Sequence, residues 1–198
     1  MSESAGITAR RAEGLSPWSA RMRFKILLWE WCWNLLCCWT PKPCNRWRLF
    51  WLRLFGATID GTPFVHQRAR VQIPWHVTLR DRSCLGDRAN IYSLGPIEIE
   101  AGAVIAQEAY LCTGTHIFDD ADLPLVTRRI LVGKDAFIGA RAFVLPGVTV
   151  GEAAIVGACS VVTTNVEPFT INAGNPCRLL RRRDAFRDGH SGRQSPFE

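Results

Sequence analysis

His116 is the residue best placed for chemistry. It closes the tetrad Thr113-Gly114-Thr115-His116 and precedes Ile117–Arg129, a stretch holding Asp119, Asp120 and Pro124. An imidazole titrates near neutral pH, so it can take a proton from a hydroxyl as that oxygen attacks a carbonyl. Asp119 or Asp120 could orient the ring or contact a substrate. The other histidines compete poorly: His66 and His76 fall in less regular segments, and His190 in an Arg/Ser-rich tail. A second chemical feature is the cluster Arg178, Arg181, Arg182, Arg183 and Arg187, because a guanidinium fork suits phosphate. Arg10, Arg11, Arg21, Arg23 and Lys25 form a matching cluster at the other end. A phosphorylated small molecule fits the first cluster and an acidic membrane surface the second; simple solvation fits both.

Composition narrows the classes. The 198 residues carry 24 basic and 18 acidic side chains, a net +6 too mild for a nucleic-acid binder. Eight cysteines are present, but no CxxC pair and no histidine spacing completes a zinc site. This predicts reduced thiols, no metal and a cytoplasmic setting, with no cleavage signal after the apolar N-terminal run. That run, Met22–Trp39, is interrupted by Lys25 and Glu30 and stopped by Pro41 and Pro43, so it is too short to span a bilayer. Trp47, Phe50, Trp51, Leu54 and Phe55 follow at helical spacing. Helices over 21–56 that pack on the main domain are the first reading. Peripheral membrane contact through 22–55 is the second, because six of the eight tryptophans lie between Trp29 and Trp51.

What must position His116 is a repeat. Branched residues recur every six positions at Val132, Ile138, Val144, Val150, Val156 and Val162, with small or apolar residues two places before each. The period also runs through Leu79, Leu85 and Ile91, then through Ile99, Ile105 and Leu111. Neither a helix nor an alternating strand gives a sustained period of six. A three-sided prism does, with short strands, a corner after each and the branched residue pointing inward. The expected fold class is an all-β solenoid, a parallel β-helix with a Trp-rich helical extension. Gly133, Gly139, Gly151 and Gly157 follow four of the rungs and are expected to supply the corners' backbone angles. The predicted organisation is a flexible 1–20, helices over 21–56, the prism over 57–175 with an excursion at 117–129, and a basic tail over 176–198.

Three segments resemble the hexapeptide-repeat acyltransferases: Ile97–His116 (IEIEAGAVIAQEAYLCTGTH), Val132–Gly151 (VGKDAFIGARAFVLPGVTVG) and Val156–Arg181 (VGACSVVTTNVEPFTINAGNPCRLLR). The chain is similar to the galactoside/maltose O-acetyltransferase branch, and more so to the acetyltransferases of colanic-acid and exopolysaccharide synthesis, over about residues 46–183. The resemblance implies a left-handed β-helix and acetyl-CoA as donor. It also implies a sugar or lipid-linked glycan hydroxyl as acceptor, His116 as general base and a homotrimer with sites between subunits. By motif match, Ala140, Ala158 and Thr163 would line the donor groove, and Arg178 and Arg181 would meet the nucleotide phosphates. Phe137, Ser93 and Asp119 are candidates for the acceptor pocket.

Two departures from the family pattern stand out. Thr164 replaces a common lysine, which removes a cation from the donor groove. The asparagine that positions reactants in the galactoside branch has no secure counterpart, although Asn90 and Ser93 are near. Two other readings of the same prism are a non-enzymatic scaffold at a membrane and a γ-class carbonic anhydrase. The latter needs three histidines around zinc, and only His66, His76 and His116 fall in the repeat region.

Overall fold

The computed structural model describes residues 18–183. Of the predicted flexible 1–20, residues 1–17 lie outside the described residues, as do His190 and Arg187. Helix α1 spans Ala20–Leu36, and the Ser19 side chain caps it by accepting from the Met22 N–H. Pro41 and Pro43 stop it, and a 3₁₀ turn, Lys42–Cys44, leads into α2, Asn45–Leu54.

From Thr58 the chain winds as short parallel strands on three faces. The first face stacks the strands starting at Thr58, Val77, Ile97, Ile130 and Thr149. The third stacks those starting at Arg70, Asn90, Tyr110, Phe143 and Val161. The second face runs from Phe64–Val65 up to Thr170–Ala173. Register holds the predicted rungs in rows: Leu79, Ile99, Val132 and Val150 on the first face, and Ile91, Leu111, Val144 and Val162 on the third. All eight are buried. Each such side chain contributes about 1.5–3 kcal/mol through loss of apolar surface to water.

The glycines act differently from expectation. The corners' positive φ angles fall two residues later, at Asp135, Arg141, Ala153 and Cys159 (51–59°). Gly133, Gly139, Gly151 and Gly157 are needed for close approach. A Cβ on Gly139 would sit 2.5 Å from the Ala158 nitrogen in the next coil.

The C-terminal boundary also differs. Arg178–Arg182 is no tail but a strand pairing antiparallel with Thr170–Ala173, and it closes the second face. Cys177, buried at 6% exposure, anchors the reversal, and its N–H reaches the Val161 carbonyl at 2.8 Å. At the other end α2 caps the first coil. Leu49 and Leu52 are buried, and Asn45 bridges to the Pro63 carbonyl and the Val65 N–H.

Candidate active site

The excursion after the third-face strand Tyr110–Cys112 is a β-hairpin. Gly114–His116 pairs antiparallel with Leu125–Thr127, setting His116 opposite Leu125. Its base is pinned by Thr113, fully buried, whose hydroxyl accepts from the Gly95 N–H at 2.8 Å and donates to the Tyr92 carbonyl at 2.9 Å. The chain rejoins the coil at Ile130, whose N–H meets the Pro96 carbonyl. This accounts for the threonine three places before the histidine: it ties the hairpin to the prism and fixes where the imidazole starts.

His116 is exposed, and its Nδ1 lies 2.6 Å from the Leu123 carbonyl oxygen. A carbonyl only accepts, so Nδ1 carries the hydrogen, and in the neutral ring Nε2 carries the lone pair. The expectation that Asp119 or Asp120 orients the ring does not hold. The Asp120 carboxylate accepts from the Asp122 N–H at 3.0 Å, and Asp119 sits on the exposed tip. No sequence signal marked the Leu123 carbonyl, because any residue there supplies the same group. Leu123 itself has φ 45°, a left-handed conformation that turns the tip back on the imidazole.

Ser93 is overturned as an acceptor-pocket residue. It is fully buried, and its hydroxyl accepts from the Ile73 N–H and donates to the Ile73 carbonyl, so it staples two coils. Asn90 does face outward on the third face, and its Oδ1 is enclosed with no hydrogen-bond partner among the described residues. Phe137 is 40% exposed on the second face, in register with Val104 and Ile155.

Ala140 and Ala158 stack one coil apart where the second face turns into the third, since Phe137 and Ile155 three places earlier are register partners. Thr163 is exposed in the row holding Cys112 and Leu145, two strands along from the root of the hairpin and therefore about 10 Å away. A single prism therefore brings His116, Thr163, Ala140 and Ala158 to the two edges of one face. It leaves Phe137 on another. Tyr110 and Phe143 share the row of Asn90 on the third face and stack at 4.8 Å, and Tyr92, in the row of Cys112, lies 6.0 Å from Tyr110.

Arg178 and Arg181 are exposed on the last strand, with no carboxylate partner among the described residues. Arg178 also lines a cavity of about 190 Å³ with Thr164, Asn165 and Glu167, so a cation remains beside the position where Thr164 stands for lysine. A larger cavity, about 510 Å³, lies between α1 and the third face. It is lined by Trp29, Trp33, Arg68, Arg70 and Arg88.

The other two histidines of the repeat region are committed to structure. His66 is buried; its Nδ1 accepts from the Arg68 N–H at 3.2 Å and lies 3.2 Å from Asp87. Burial holds its pKa below the usual value, against the pull of Asp87. His76 Nδ1 meets the Ser93 carbonyl at 3.0 Å. All eight cysteines are free thiols, and burial pushes Cys37 up to about 12, leaving it unreactive. No group of His, Cys, Asp and Glu among the described residues is arranged to hold a metal.

Comparison with known proteins bears on the family and the fold. Residues 129–164 match the family described as bacterial transferase hexapeptide (six repeats). The chain is 36% identical over 159 residues, 80% of its length and 87% of the relative's, to an Escherichia coli K12 protein, WcaF, assigned as a colanic acid biosynthesis acetyltransferase. Among solved structures, a maltose O-acetyltransferase from Clostridium difficile 630 aligns with TM-score 0.73 and 22% identity, covering 84% of this chain and 90% of that one. A galactoside acetyltransferase in complex with coenzyme A aligns with TM-score 0.75 and 19% identity, covering 86% of each. The left-handed turn of the prism follows from these folds. The chain belongs to the hexapeptide-repeat acetyltransferases.

Proposed function

We propose that the chain moves an acetyl group from acetyl-CoA to a sugar hydroxyl in exopolysaccharide or related glycan assembly, with His116 as general base. The observation that carries this is the Leu123 carbonyl fixing Nδ1 as the protonated nitrogen, which leaves Nε2 free on an exposed hairpin. Nε2 takes the hydroxyl proton as the oxygen bonds to the thioester carbon. The C–S bond then breaks, and the proton passes from the imidazole to the departing thiolate.

For the donor, Ala140, Ala158 and Thr163 offer small side chains and backbone groups along the edges of the third face. Arg178 and Arg181 offer uncompensated cations to phosphate. One prism supplies only one wall of such a groove. A homotrimer supplies the second wall and brings Phe137 of another copy toward His116. Asp119, on the exposed tip of the hairpin, is a candidate to contact the acceptor. The acceptor class is a sugar or lipid-linked glycan intermediate, met in the cytoplasm at the inner face of the membrane.

The test is CoA release from acetyl-CoA with a panel of sugars and extracted glycan lipids, comparing wild type with His116→Ala. Loss of a general base lowers the acceptor-dependent rate by roughly 10²–10⁴. Release indifferent to His116 would sink the mechanism, and no release with any acceptor would favour a scaffold.

A further inference from the structure

Helix α1 carries two apolar faces where a helix packed on a core needs one. Trp29 and Trp33 are buried against the prism, and the Trp29 indole donates to the Val71 carbonyl at 2.7 Å. Phe24, Leu27, Leu28, Trp31 and Leu35 recur at i, i+3, i+4, i+7 and i+11 and are 45–68% exposed. At about 100° per residue, the outer set clusters around Phe24, whereas Trp29 and Trp33 lie about 140–180° from it. A helix that only covers a prism presents polar residues outward. Helix α2 runs back beside α1, with the Trp47 indole on the Leu36 carbonyl at 2.8 Å and Phe55 against Trp29 at 5.1 Å. It adds Trp47, Phe50 and Leu54, 43–61% exposed, and Trp39 between the helices is 71% exposed.

The charge around this surface has one sign. Between Trp18 and Gly56 the basic residues are Arg21, Arg23, Lys25, Lys42, Arg46, Arg48 and Arg53, and the only acid is Glu30. Seven minus one gives +6, equal to the net charge of the whole chain. Arg48 is buried, but the other six are exposed. Glu30 is turned to the prism, accepting from Gln72 at 3.2 Å and lying 3.9 Å from Arg70. The indole N–H groups of Trp39 and Trp47 are already satisfied by the Leu35 and Leu36 carbonyls, so these exposed rings bring no unmet donor into an apolar phase. Among the described residues no helix is long and apolar enough to cross a membrane.

We infer that α1 and α2 lie in the plane of an anionic phospholipid bilayer. Phe24, Leu28, Trp31 and Leu35 sit below the headgroups and Arg21 and Arg46 at the phosphates, while Lys25 stays over the Trp75 ring at 3.7 Å. A second copy of the chain is a poorer occupant, because pairing these faces sets six cations against six. Lipid phosphates meet them with the opposite sign. The inference deepens the proposed function, on which it rests for its purpose: an anchored enzyme meets a lipid-linked acceptor where that acceptor lies. The docking itself stands on the two helices.

The test is co-sedimentation of the full chain with vesicles of phosphatidylcholine containing phosphatidylglycerol, and with phosphatidylcholine alone, at low and high salt. Wild type binds the anionic vesicles. Binding falls at least about tenfold in neutral vesicles, in Phe24→Glu/Trp31→Glu, or in Arg21→Glu/Arg46→Glu. Melting temperature verifies folding, and the lipid and salt arms use only wild type, so a poorly folded variant does not remove the test. CoA release with a soluble acceptor stays at the wild-type level in both variants. His116→Ala still sediments, so failure of docking and failure of acetyl transfer are read separately. Absence of wild type from the anionic pellet overturns the inference. So does unchanged binding by folded variants, or an apolar-stripe variant that dissociates the oligomer in light scattering without affecting sedimentation.

Discussion

In the prism, Leu79, Ile99, Val132 and Val150 occupy one row, and each could be described by naming its neighbour. In the helical cap, Arg48 has no counterpart. It is fully buried, and its guanidinium donates to the Val65, Pro41 and Lys42 carbonyls and the Thr40 hydroxyl at 2.8–2.9 Å. The prism gains stability by repetition, so loss at one rung is shared with the coils above and below. The cap rests on a few unique contacts, among them Arg48 and the Trp29 indole, which tie α1, the turn before α2 and the first coil together. Such a design leaves the outer faces of the helices free for a separate task.

The largest effect that separates the two regions comes from Arg48→Met. It strands four acceptors, two of them buried and two part-buried, and lowers stability by about 3 kcal/mol. Ile138→Val, at a fully buried rung, removes one methyl group and costs about 1 kcal/mol. Thermal or chemical denaturation of both variants measures the gap. If Arg48→Met costs no more than Ile138→Val, the cap does not depend on unique contacts and the contrast fails.

A smaller effect tests the prism's own logic. Gly139→Ala places a methyl group 2.5 Å from the Ala158 nitrogen, so two coils must part, at about 1–3 kcal/mol. Cys159→Gly, one coil on at a φ of 57°, relieves a left-handed conformation and stabilises by up to about 1 kcal/mol. Opposite signs from these two substitutions show that the repeat's glycines serve close approach and its neighbours serve the turn. Equal signs would return the glycines to the turning role their spacing implied.

The rows of the prism were legible because a period of six has one physical solution, and the helices because an apolar run ends at Pro41 and Trp47, Phe50, Trp51, Leu54 and Phe55 recur at helical spacing. His116 was legible as the residue where that period breaks. What the sequence did not disclose depends on contacts between coils. Ser93 looked available beside the active coil, but it faces Ile73, twenty residues earlier, inside the stack. Arg178–Arg182 looked like a solvated tail because antiparallel pairing at the end of a solenoid has no repeat to announce it. The Leu123 carbonyl is invisible to any reading of side chains. The outward stripe of α1 was visible as hydrophobicity, but its direction required knowing which face Trp29 and Trp33 bury.

The junction of the two regions offers the finest test. His66 lies next to Val65, whose carbonyl receives Arg48, and its ring is buried at 7% exposure. Burial lowers its pKa from 6.5; Asp87 pulls upward, while Arg68, Lys42 and Arg48 add to the lowering. The folded chain therefore binds a proton at this site less readily than the unfolded chain does. The stabilisation from neutral His66 is complete above the unfolded value and is lost as pH falls through the lower folded one. The melting temperature of wild type should fall between pH 7.5 and 5.5, by less than either effect above. A His66→Gln variant, which has no proton to gain, should fall less over the same range. If both curves share one slope, the acid sensitivity belongs elsewhere, and the junction is held by Arg48 and α2 packing without a titrating contact.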